Sequence, residues 1–449
     1  MLRPAGLSTK AAPVARKKAA KIARRVREPA RRWSLVLPAV TKRFLNPRVT
    51  YVGVTGSCAK TTTTTLIGAV LSAAGECCTG ADQNHIEDVA RTVLSIGPTT
   101  KYCVQEVCGS RPGKIRKQTR ILRPEIGVIT TIGGDHYTRY RTLEATAKEK
   151  GQLAEVLPAR GALILNADDP NVRAIAPRSR AKVITYGLSP DADVRAVDVS
   201  SDWPDRLSLT LLYGDESIRI ASRLVGEFWT TSILAAVACG LVCGIDLKTC
   251  AEVIAKTEPV FGRYSVHHAP GGAIYVFDHK APMWTFAKSF EFLARARAPR
   301  RTMVIGAISD SQGKASLKYR RIARQALEVA ERVVFVGPHS SHVSKIRESE
   351  FKGRLFSFET TYEATEFMKQ QQAVRGELVF LKGSITVDHL ERIFLTQIES
   401  VVCWRQGCGK VFGCPQCGNF RKPTPPPFGL GRQNAGSRES DKKPFESAV

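Results

Sequence analysis

Hydrophobic residues cluster in short runs from Val49 onward, and stretches with helical spacing separate these runs. Continuous apolar runs of four to eight residues are typical of strands that are buried on both faces of a parallel sheet. The first run, at 49–54, is followed by a Gly/Ser loop and a predicted helix over 61–74, which ends at Gly75. Further predicted strands lie at 102–107, 125–132, 162–166 and 182–187. This alternation predicts a mainly parallel α/β sheet.

Residues 192–221 interrupt the alternation. Three short segments with Gly-Asp turn chemistry predict antiparallel strands that extend one edge of the sheet, and a helix follows at about 229–243. A second alternating series begins near Ala273, with predicted strands at 273–278, 302–307, 332–337, 355–359 and 378–383. This series predicts a second, Rossmann-like domain.

The patterns divide the chain into five predicted segments. They are a basic arm at 1–48, a central α/β domain at 49–260, a Rossmann-like domain at 261–398, a cysteine cluster at 399–420 and a disordered tail at 421–449. No run reaches the roughly 18 apolar residues that a membrane span needs. We therefore expect a cytoplasmic protein.

Charge adds a second kind of information, because 67 Lys and Arg residues against 41 Asp and Glu residues give a net charge of +26. Half of this excess lies in the arm, where fourteen basic residues accompany one acid, Glu28. Ala15, Ile22 and Val26 share one face of a predicted helix within it. A basic amphipathic helix of this kind binds an anionic membrane surface or another polyanion. A solvated tail that keeps a basic protein soluble explains the arm equally well.

The segment GVTGSCAKTT at 53–62 predicts a phosphate-binding loop, because it follows a buried strand and opens a helix. Backbone N–H groups of such a loop bind phosphate oxygens, Lys60 would reach the β and γ phosphates, and Thr61 offers a hydroxyl to Mg²⁺. Ala59 stands where Gly is usual, and it would cost about 1–2 kcal/mol if its φ is positive. The predicted nucleotide-binding residues are Gly56, Ser57, Cys58, Ala59, Lys60, Thr61 and Thr62.

This loop resembles the nucleotide-binding loop of the Mur ligase family, and further family motifs follow in the same order. The matching segments are Gln105-Glu106-Val107, TTIGGDH at 130–136, AKEKG at 147–151, LNADD at 165–169, Gly262-Arg263 and LKGS at 381–384. The resemblance covers about 49–398 and is greatest to the branch that adds D-Ala-D-Ala to the muramyl tripeptide. It implies a central ATP-binding domain followed by a C-terminal ligase domain.

The resemblance also implies a reaction. In this family a substrate carboxylate attacks the γ-phosphate of ATP, and the amine of an amino acid or peptide then displaces phosphate from the acyl phosphate, which leaves an amide, ADP and phosphate. Lys60, His136 and Lys150 are the implied catalytic residues. Lys150 matches the family lysine that becomes carbamylated, with Lys148 as the rival match.

Metal and nucleotide contacts are carried over in the same way. The resemblance implies that Thr61 and Glu106 hold one Mg²⁺ and that His136 helps to hold a second. It further implies that Arg263 and Asp278 lie near the bound nucleotide or amine substrate.

Several positions depart from the family pattern. Phe228, Trp229 and Ser232 replace the His and the two Asn residues of the helix that contacts adenine, and Ile385 replaces the Arg of the closing K-G-S-R motif. These departures support an alternative, a degenerate Mur-like protein that binds a nucleotide or a partner without ligating. A third hypothesis is a polyanion-binding protein whose core is a scaffold.

The segment before the first strand departs as well. Peptidoglycan ligases carry a folded domain for the UDP sugar there, whereas only 48 basic residues precede the first strand here. We therefore expect a carboxylate other than a standard UDP-muramyl peptide.

The last motif is a cysteine cluster in which Cys-Pro-x-Cys-Gly has the form of a zinc knuckle. The predicted ligands of a structural Zn²⁺ are Cys403, Cys408, Cys414 and Cys417. The other eight cysteines are scattered, and we expect them to be reduced.

Overall fold

The computed structural model describes residues 33–310, 313–344, 346, 351, 353–371 and 374–421. The predicted helix of the basic arm and the predicted disordered tail beyond Arg421 lie outside the described residues. Among the helices that the model describes, none combines the length and the apolar composition needed to cross a bilayer.

The described chain begins with a helix, α1, at 33–45. One face of α1 packs on the core through Leu35, Val36 and Ala39. Two basic side chains anchor its end: Lys42 Nζ donates to the Leu94 carbonyl at 2.7 Å, and Arg43 Nε donates to the Leu122 carbonyl at 2.9 Å. This helix was not predicted, because its apolar residues follow a run of basic residues that resembles a solvated arm.

The first sheet has nine strands in the order β2-β3-β1-β4-β5-β6-β7-β8-β9. They are β1 (Thr50–Thr55), β2 (Cys77–Gly80), β3 (Tyr102–Glu106), β4 (Ile126–Ile129), β5 (Ala162–Asn166), β6 (Lys182–Gly187), β7 (Val194–Ser200), β8 (Ser208–Tyr213) and β9 (Glu216–Ala221). Neighbours from β2 to β7 are parallel, whereas β7, β8 and β9 pair antiparallel. The predicted parallel sheet with an antiparallel extension is confirmed. The short strand β2 was missed because its sequence, CCTG, is not an apolar run.

Helices cover both faces of this sheet. They are α2 (Lys60–Ser72), α3 (Ile86–Leu94), α4 (Lys114–Leu122), α5 (Tyr137–Tyr140), α6 (Leu143–Lys150), α7 (Gln152–Glu155), α8 (Pro170–Arg173), α9 (Thr230–Val242) and α10 (Leu247–Lys256). Leu66 and Val70 of α2 share one core with Ile233 and Val237 of α9. This packing holds the start of α2, which carries the predicted lysine, against the sheet.

The second sheet has six strands in the order β10-β11-β15-β12-β13-β14. They are β10 (Arg263–His268), β11 (Ile274–Asp278), β12 (Arg301–Ile305), β13 (Arg332–Val336), β14 (Leu355–Phe358) and β15 (Leu378–Lys382). Only β10 is antiparallel to its neighbour. Its helices are α11 (Phe286–Arg295), α12 (Ala315–Val329), α13 (Thr361–Gln370) and α14 (Glu391–Leu395). The second Rossmann-like unit is therefore present, and the boundaries given above remain predictions.

The cysteine segment differs from the predicted zinc knuckle. It contains one short helix, α15 (Cys414–Cys417), and it packs on the second sheet's unit. In the described part of the chain, no three of its four sulfurs lie within 4.8 Å of one another. The four-cysteine ligand set of Cys403, Cys408, Cys414 and Cys417 is therefore not supported.

Side chains of Arg392 and His389 contact the sulfurs of three of these cysteines. Arg392 Nε donates to Cys414 Sγ at 3.2 Å, and Arg392 Nη2 lies 4.0 Å from Cys403 Sγ. His389 Nε2 lies 2.8 Å from Cys408 Sγ. Each of these three sulfurs thus has an arginine or imidazole partner, and these contacts dock the segment onto the preceding domain. Sequence spacing within the segment gave no sign of these partners.

Candidate active site

The predicted phosphate loop connects β1 to α2 at the carboxyl end of the parallel strands. Gly56 has φ 151°, and a Cβ at this position would lie 1.9 Å from Thr130 Oγ1. Only glycine fits there, because the next strand's end approaches so closely. Ser57 N donates to the Thr131 carbonyl at 2.8 Å, which ties the loop to the neighbouring strand end.

Ala59 precedes α2 with φ 64°, in the left-handed region. The strain predicted for a positive φ therefore applies, and the alanine side chain costs about 1–2 kcal/mol relative to an unstrained backbone. The loop keeps its turn although the usual glycine is absent.

Lys60, Thr61 and Glu106 meet at the start of α2. Thr61 Oγ1 lies 2.9 Å from Glu106 Oε2, and both residues are buried. Glu106 also accepts bonds from Asp82 N at 3.0 Å and Asn84 Nδ2 at 3.3 Å. Sequence reasoning missed Asp82 and Asn84, which lie in an irregular loop after β2.

Lys60 and Lys150 point at the same backbone oxygen. Each Nζ donates to the Gly56 carbonyl at 2.9 Å. Lys150 Nζ also lies 3.3 Å from Asp135 Oδ2, and the other oxygen of Asp135 lies 3.4 Å from His136 Nε2. Asp135 therefore joins Lys150 to His136, and it was missed although it lies inside the quoted TTIGGDH motif.

Burial and neighbouring charges shift the pKa values of the two lysines in opposite directions. Burial lowers the pKa of the Lys150 amine and outweighs the attraction of Asp135, so that this pKa lies below its usual value. Burial also lowers the pKa of Lys60, but Asp135, Cys108 and Glu106 outweigh it, so that this pKa lies above its usual value. Lys60 is therefore a fixed cation, whereas Lys150 is the lysine that releases its proton more readily.

We call Asp135 and His136 the second cluster, and the same neighbouring charges shift the pKa values of both. Burial raises the pKa of Asp135, but Lys150 and Lys60 outweigh it and hold this pKa below its usual value. Burial lowers the pKa of His136, and the neighbouring lysines add to this effect against Asp135. The cluster thus keeps an ionised carboxylate beside a neutral imidazole, a donor pair that suits a divalent cation.

Asp310 from the second sheet's unit completes this cluster. Donor atoms of Asp135, His136 and Asp310 lie within 4.8 Å of one another. Burial and then Asp135 raise the pKa of Asp310. Asp310 follows β12 in a loop without a quoted motif, so the sequence alone did not single it out.

Residues of the second unit also face the phosphate loop. Arg263 Nη2 lies 3.1 Å from Asp82 Oδ1, and Asp278 forms a buried ion pair with Lys382. Lys280 lies beside Arg263, which lowers the pKa of Lys280 together with burial. Arg263 and Asp278 were predicted at this site, and Lys280 and Lys382 are additions from the structure.

An aromatic cavity of about 390 Å³ opens beside the loop. Cys58, Ala59, Phe228, Trp229 and Trp284 are among its lining residues. The rings of Phe228 and Trp229 lie 4.9 Å apart, and Phe228 also packs on Tyr264 at 4.6 Å. Trp229 is buried in the core, while half-buried Phe228 presents its ring to the cavity.

The donor atoms of Thr61 and Glu106, which we call the first cluster, fit magnesium. Thr61 and Glu106 present oxygen atoms 2.9 Å apart beside a phosphate loop, and Mg²⁺ prefers oxygen ligands together with substrate phosphates. A parallel sheet with a lysine-bearing loop at its carboxyl edge defines a nucleotide-binding protein of the P-loop class.

Comparisons with known proteins narrow this class. Residues 54–240 match the family model of the Mur ligase middle domain. The chain is 30% identical over 309 residues to the UDP-N-acetylmuramoyl-tripeptide–D-alanyl-D-alanine ligase of Mycobacterium tuberculosis, with 67% of this chain and 60% of that protein covered. The chain thus spans about three fifths of the length of this relative. The resemblance to the Mur ligase family is confirmed.

Solved structures show the same fold. A crystal structure of MurF from Acinetobacter baumannii matches with a TM-score of 0.74 and 21% identity, over 82% of this chain and 80% of that chain. The MurF ligase of Thermotoga maritima in complex with ADP matches with a TM-score of 0.68 and 19% identity, over 81% of this chain and 82% of that chain. The predicted pair of α/β units is therefore the Mur ligase-like fold.

Proposed function

We propose that the chain is an ATP-dependent ligase that joins a carboxylate to the amine of an amino acid or peptide through an acyl phosphate. The observation that carries this proposal is the convergence of Lys60 and Lys150 on the Gly56 carbonyl, with Thr61–Glu106 on one side and Asp135–His136 on the other. A simple nucleotide-binding loop requires the first cluster alone. The second cluster gives the site a place to hold a second anionic reactant.

In the first step, a carboxylate oxygen attacks the γ-phosphorus of ATP. The bond between this phosphorus and the β,γ-bridging oxygen breaks, and ADP leaves. Charge grows on the transferring oxygens, so catalysis consists mainly of positioning and cation stabilisation. Lys60 is the buried cation beside the loop that would supply this stabilisation. The backbone N–H groups of the loop would hold the β-phosphate.

Thr61 and Glu106 are the residues that would hold Mg²⁺, and His136, Asp135 and Asp310 are those that would hold a second cation. When bound, these ions would neutralise the phosphate oxygens. Arg263, which pairs with Asp82, and Lys280, whose pKa responds to Glu106, bring further positive charge to this site.

Lys150 has a separate proposed role as a carbamate. Its amine would attack CO₂, form an N–C bond and lose a proton to water, which gives an anionic ligand beside His136. Carbamylation requires the neutral amine, and the lowered pKa of Lys150 favours that form. Lys148, the rival by spacing, is exposed.

The aromatic cavity is the proposed site for the nucleotide base. Phe228 stands where the family has a polar contact to adenine, and its ring faces the cavity beside Cys58 and Ala59. A base that stacks there would depend on ring contact more than on amide hydrogen bonds.

The named substrates of a relative suggest which substrate pair to test first. The Mycobacterium tuberculosis relative is named for a UDP-muramoyl tripeptide and D-alanyl-D-alanine, and this is the first pair to test. Other pairs of a carboxylate and an amine are tested in the same assay. A cytoplasmic location remains a prediction, as does the binding of the basic arm to an anionic surface.

The alternative, a Mur-like binding protein without ligase activity, is not favoured. It was motivated by Ala59, the rewritten adenine helix and Ile385, yet the loop with Ala59 keeps its turn and Lys60, Thr61 and Glu106 keep their contacts.

The test is ADP release measured with pools of candidate carboxylates and amines, added singly and together. Turnover should require one member of each pool, and Lys60→Ala should lower it by about 10³-fold or more. A matched control is Lys256→Ala, which removes an exposed lysine of α10 that does not line the aromatic cavity. Absence of ADP with every pair, with the protein folded, would refute the ligase proposal.

A further inference from the structure

Helix α1 presents two apolar faces, and the described residues cover only one of them. Leu35, Val36 and Ala39 pack on the core. Trp33, Leu37 and Phe44 remain 58%, 60% and 62% exposed, and adjoining Leu45 remains 75% exposed. Residues at spacings of four and seven lie on one helix face, so Trp33, Leu37 and Phe44 form a continuous outward stripe. We call these three residues with Leu45 the α1 stripe.

The stripe is held rigidly in place. Lys42 and Arg43 bond to the carbonyl ends of α3 and α4, where basic groups complement the helix dipole. Arg43 also bonds to Glu125 at 3.1 Å and lies over the ring of Tyr51 at 3.7 Å. The exposed side chains therefore sit on an anchored helix, which is not a frayed end.

A basic groove adjoins the stripe. A cavity of about 650 Å³ is lined by Phe44, Arg120, Arg123 and Arg160, with Glu125 as its single acid. Glu125 already pairs with Arg43 and Arg160. Within the described ranges, Arg120 and Arg123 have no ion pair with a carboxylate, and the guanidinium of Arg123 lies 4.4 Å from the ring centre of Phe44. Two uncompensated cations thus stand beside exposed aromatic and aliphatic side chains.

We propose that the α1 stripe and this groove form a docking surface for an anionic lipid bilayer. Tryptophan, leucine and phenylalanine would enter the boundary between headgroups and acyl chains, while Arg120 and Arg123 would contact lipid phosphates. A bilayer fits better than a nucleic acid, because a phosphate backbone would leave the four apolar side chains without a partner. The charge of the 48 residues that include α1 has the matching sign.

The position of the surface is compatible with the proposed ligase site. The groove borders Pro124 and Glu125, which precede the amino end of β4, whereas the phosphate loop follows the carboxyl end of β1. These two ends lie on opposite edges of a parallel sheet. A docked molecule would therefore turn its active site toward solution, and its turnover of soluble substrates would not depend on the stripe.

The test is co-sedimentation of the full chain with vesicles of phosphatidylglycerol and phosphatidylcholine, and with vesicles of phosphatidylcholine alone. The wild-type chain should bind the anionic vesicles. Trp33→Ser, Leu37→Ser and Phe44→Ser should each weaken binding by roughly tenfold, since each removes an apolar side chain from the lipid boundary. Arg120→Glu should weaken it by at least about fivefold.

The matched control is Leu317→Ser, because Leu317 is 61% exposed on α12, far along the chain from the stripe. It should bind vesicles as the wild-type chain does. Circular dichroism and ADP release in solution should be unchanged in every variant, which separates this proposal from the proposed ligase function.

Several outcomes would overturn the proposal. These are no binding to anionic vesicles by the wild-type chain, equal binding to both vesicle types, and unchanged binding after the three stripe substitutions. Displacement by inorganic phosphate beyond that by chloride of equal ionic strength would identify a free-phosphate site instead. Self-association in light scattering that the stripe variants abolish, without a change in vesicle binding, would identify a second copy as the occupant.

Discussion

At the phosphate loop, the local backbone determines which side chains single positions tolerate. Gly56 has no alternative, because a side chain would collide with Thr130, whereas Ala59 occupies a strained position that its neighbours maintain. Lys60 was predictable from its spacing to the glycines, and Glu106 from its place at a strand end. Asp135, Lys280 and Asp310 were not, because their roles arise from charges that only the fold brings together.

Replacement of Ala59 by glycine should stabilise the protein. The change relieves the left-handed strain of about 1–2 kcal/mol, and the greater freedom of an unfolded glycine offsets part of this gain. We expect a net gain of about 0.5–1 kcal/mol in the free energy of unfolding, measured by urea denaturation. Ala73→Gly is the control, since Ala73 has φ −69° and no strain to relieve. Equal effects of both substitutions would contradict the strain.

Lys150→Ala should lower turnover by about 10²–10³-fold, and added acetate should restore part of it, because a small carboxylate would replace the carbamate. Lys148→Ala is the matched control from the same helix and should retain activity. Wild-type rates for Lys150→Ala, or equal losses for both lysines, would contradict the proposed carbamate.

The pH dependence of Lys150 has a defined sign. Its folded pKa lies below the unfolded value, so the unfolded chain binds more protons in the window between them and this group's contribution to stability rises with pH there. Carbamate formation rises in the same direction, because only the neutral amine reacts with CO₂. The activation of the wild-type enzyme by bicarbonate should therefore be greatest at low pH and weaken as pH rises.

At the scale of elements, the apolar runs predicted the parallel strands well, since a strand buried on both faces has few polar residues. The antiparallel extension was predicted from its turns. Helix α1 was missed because its apolar residues stand in a basic segment, and strand β2 was missed because it is short and has no apolar run. Packing stabilises α1 more than its own pattern does. The cysteine segment was misread for a related reason: its spacing resembles a metal site, but its sulfurs pair with groups from another element.

Arg392 should be the side chain on which the cysteine segment depends most. It is buried, it bonds to Cys414 Sγ, and its Nη1 donates to the Arg405 carbonyl at 2.9 Å. Arg392→Ala should destabilise the protein by about 3 kcal/mol and speed proteolysis within 403–417. Arg405→Ala is the control, because it leaves the accepting carbonyl in place. Identical digestion of both variants would contradict this docking.

At the scale of the whole molecule, the two α/β units share one site. Arg263 reaches Asp82 across the units, and Asp310 reaches His136. The motif order predicted both units and a place for Arg263 near the bound nucleotide or amine substrate, but not its contact with Asp82. It did not predict the contact of Asp310, which depends on how the units are arranged.

Nucleotide binding should therefore stabilise the molecule as a unit. ATP with Mg²⁺ at 100 times its Kd should add about 2.7 kcal/mol to the free energy of unfolding. At the same ATP concentration, Arg263→Ala should reduce this gain by about 1–2 kcal/mol, since it removes a charged contact from the shared site. Arg297→Ala, which breaks an exposed ion pair with Asp205, is the control and should keep the full gain. An undiminished gain in Arg263→Ala would contradict the role of Arg263.

The acyl phosphate is the central claim, and transfer of ¹⁸O tests it most directly. A carboxylate substrate labelled with ¹⁸O, incubated with ATP and the amine, should pass one ¹⁸O atom to each phosphate released, as detected by mass spectrometry. This transfer follows because the attacking carboxylate oxygen stays on phosphorus when the amine displaces phosphate. Phosphate without ¹⁸O, formed while the amide accumulates, would contradict the account.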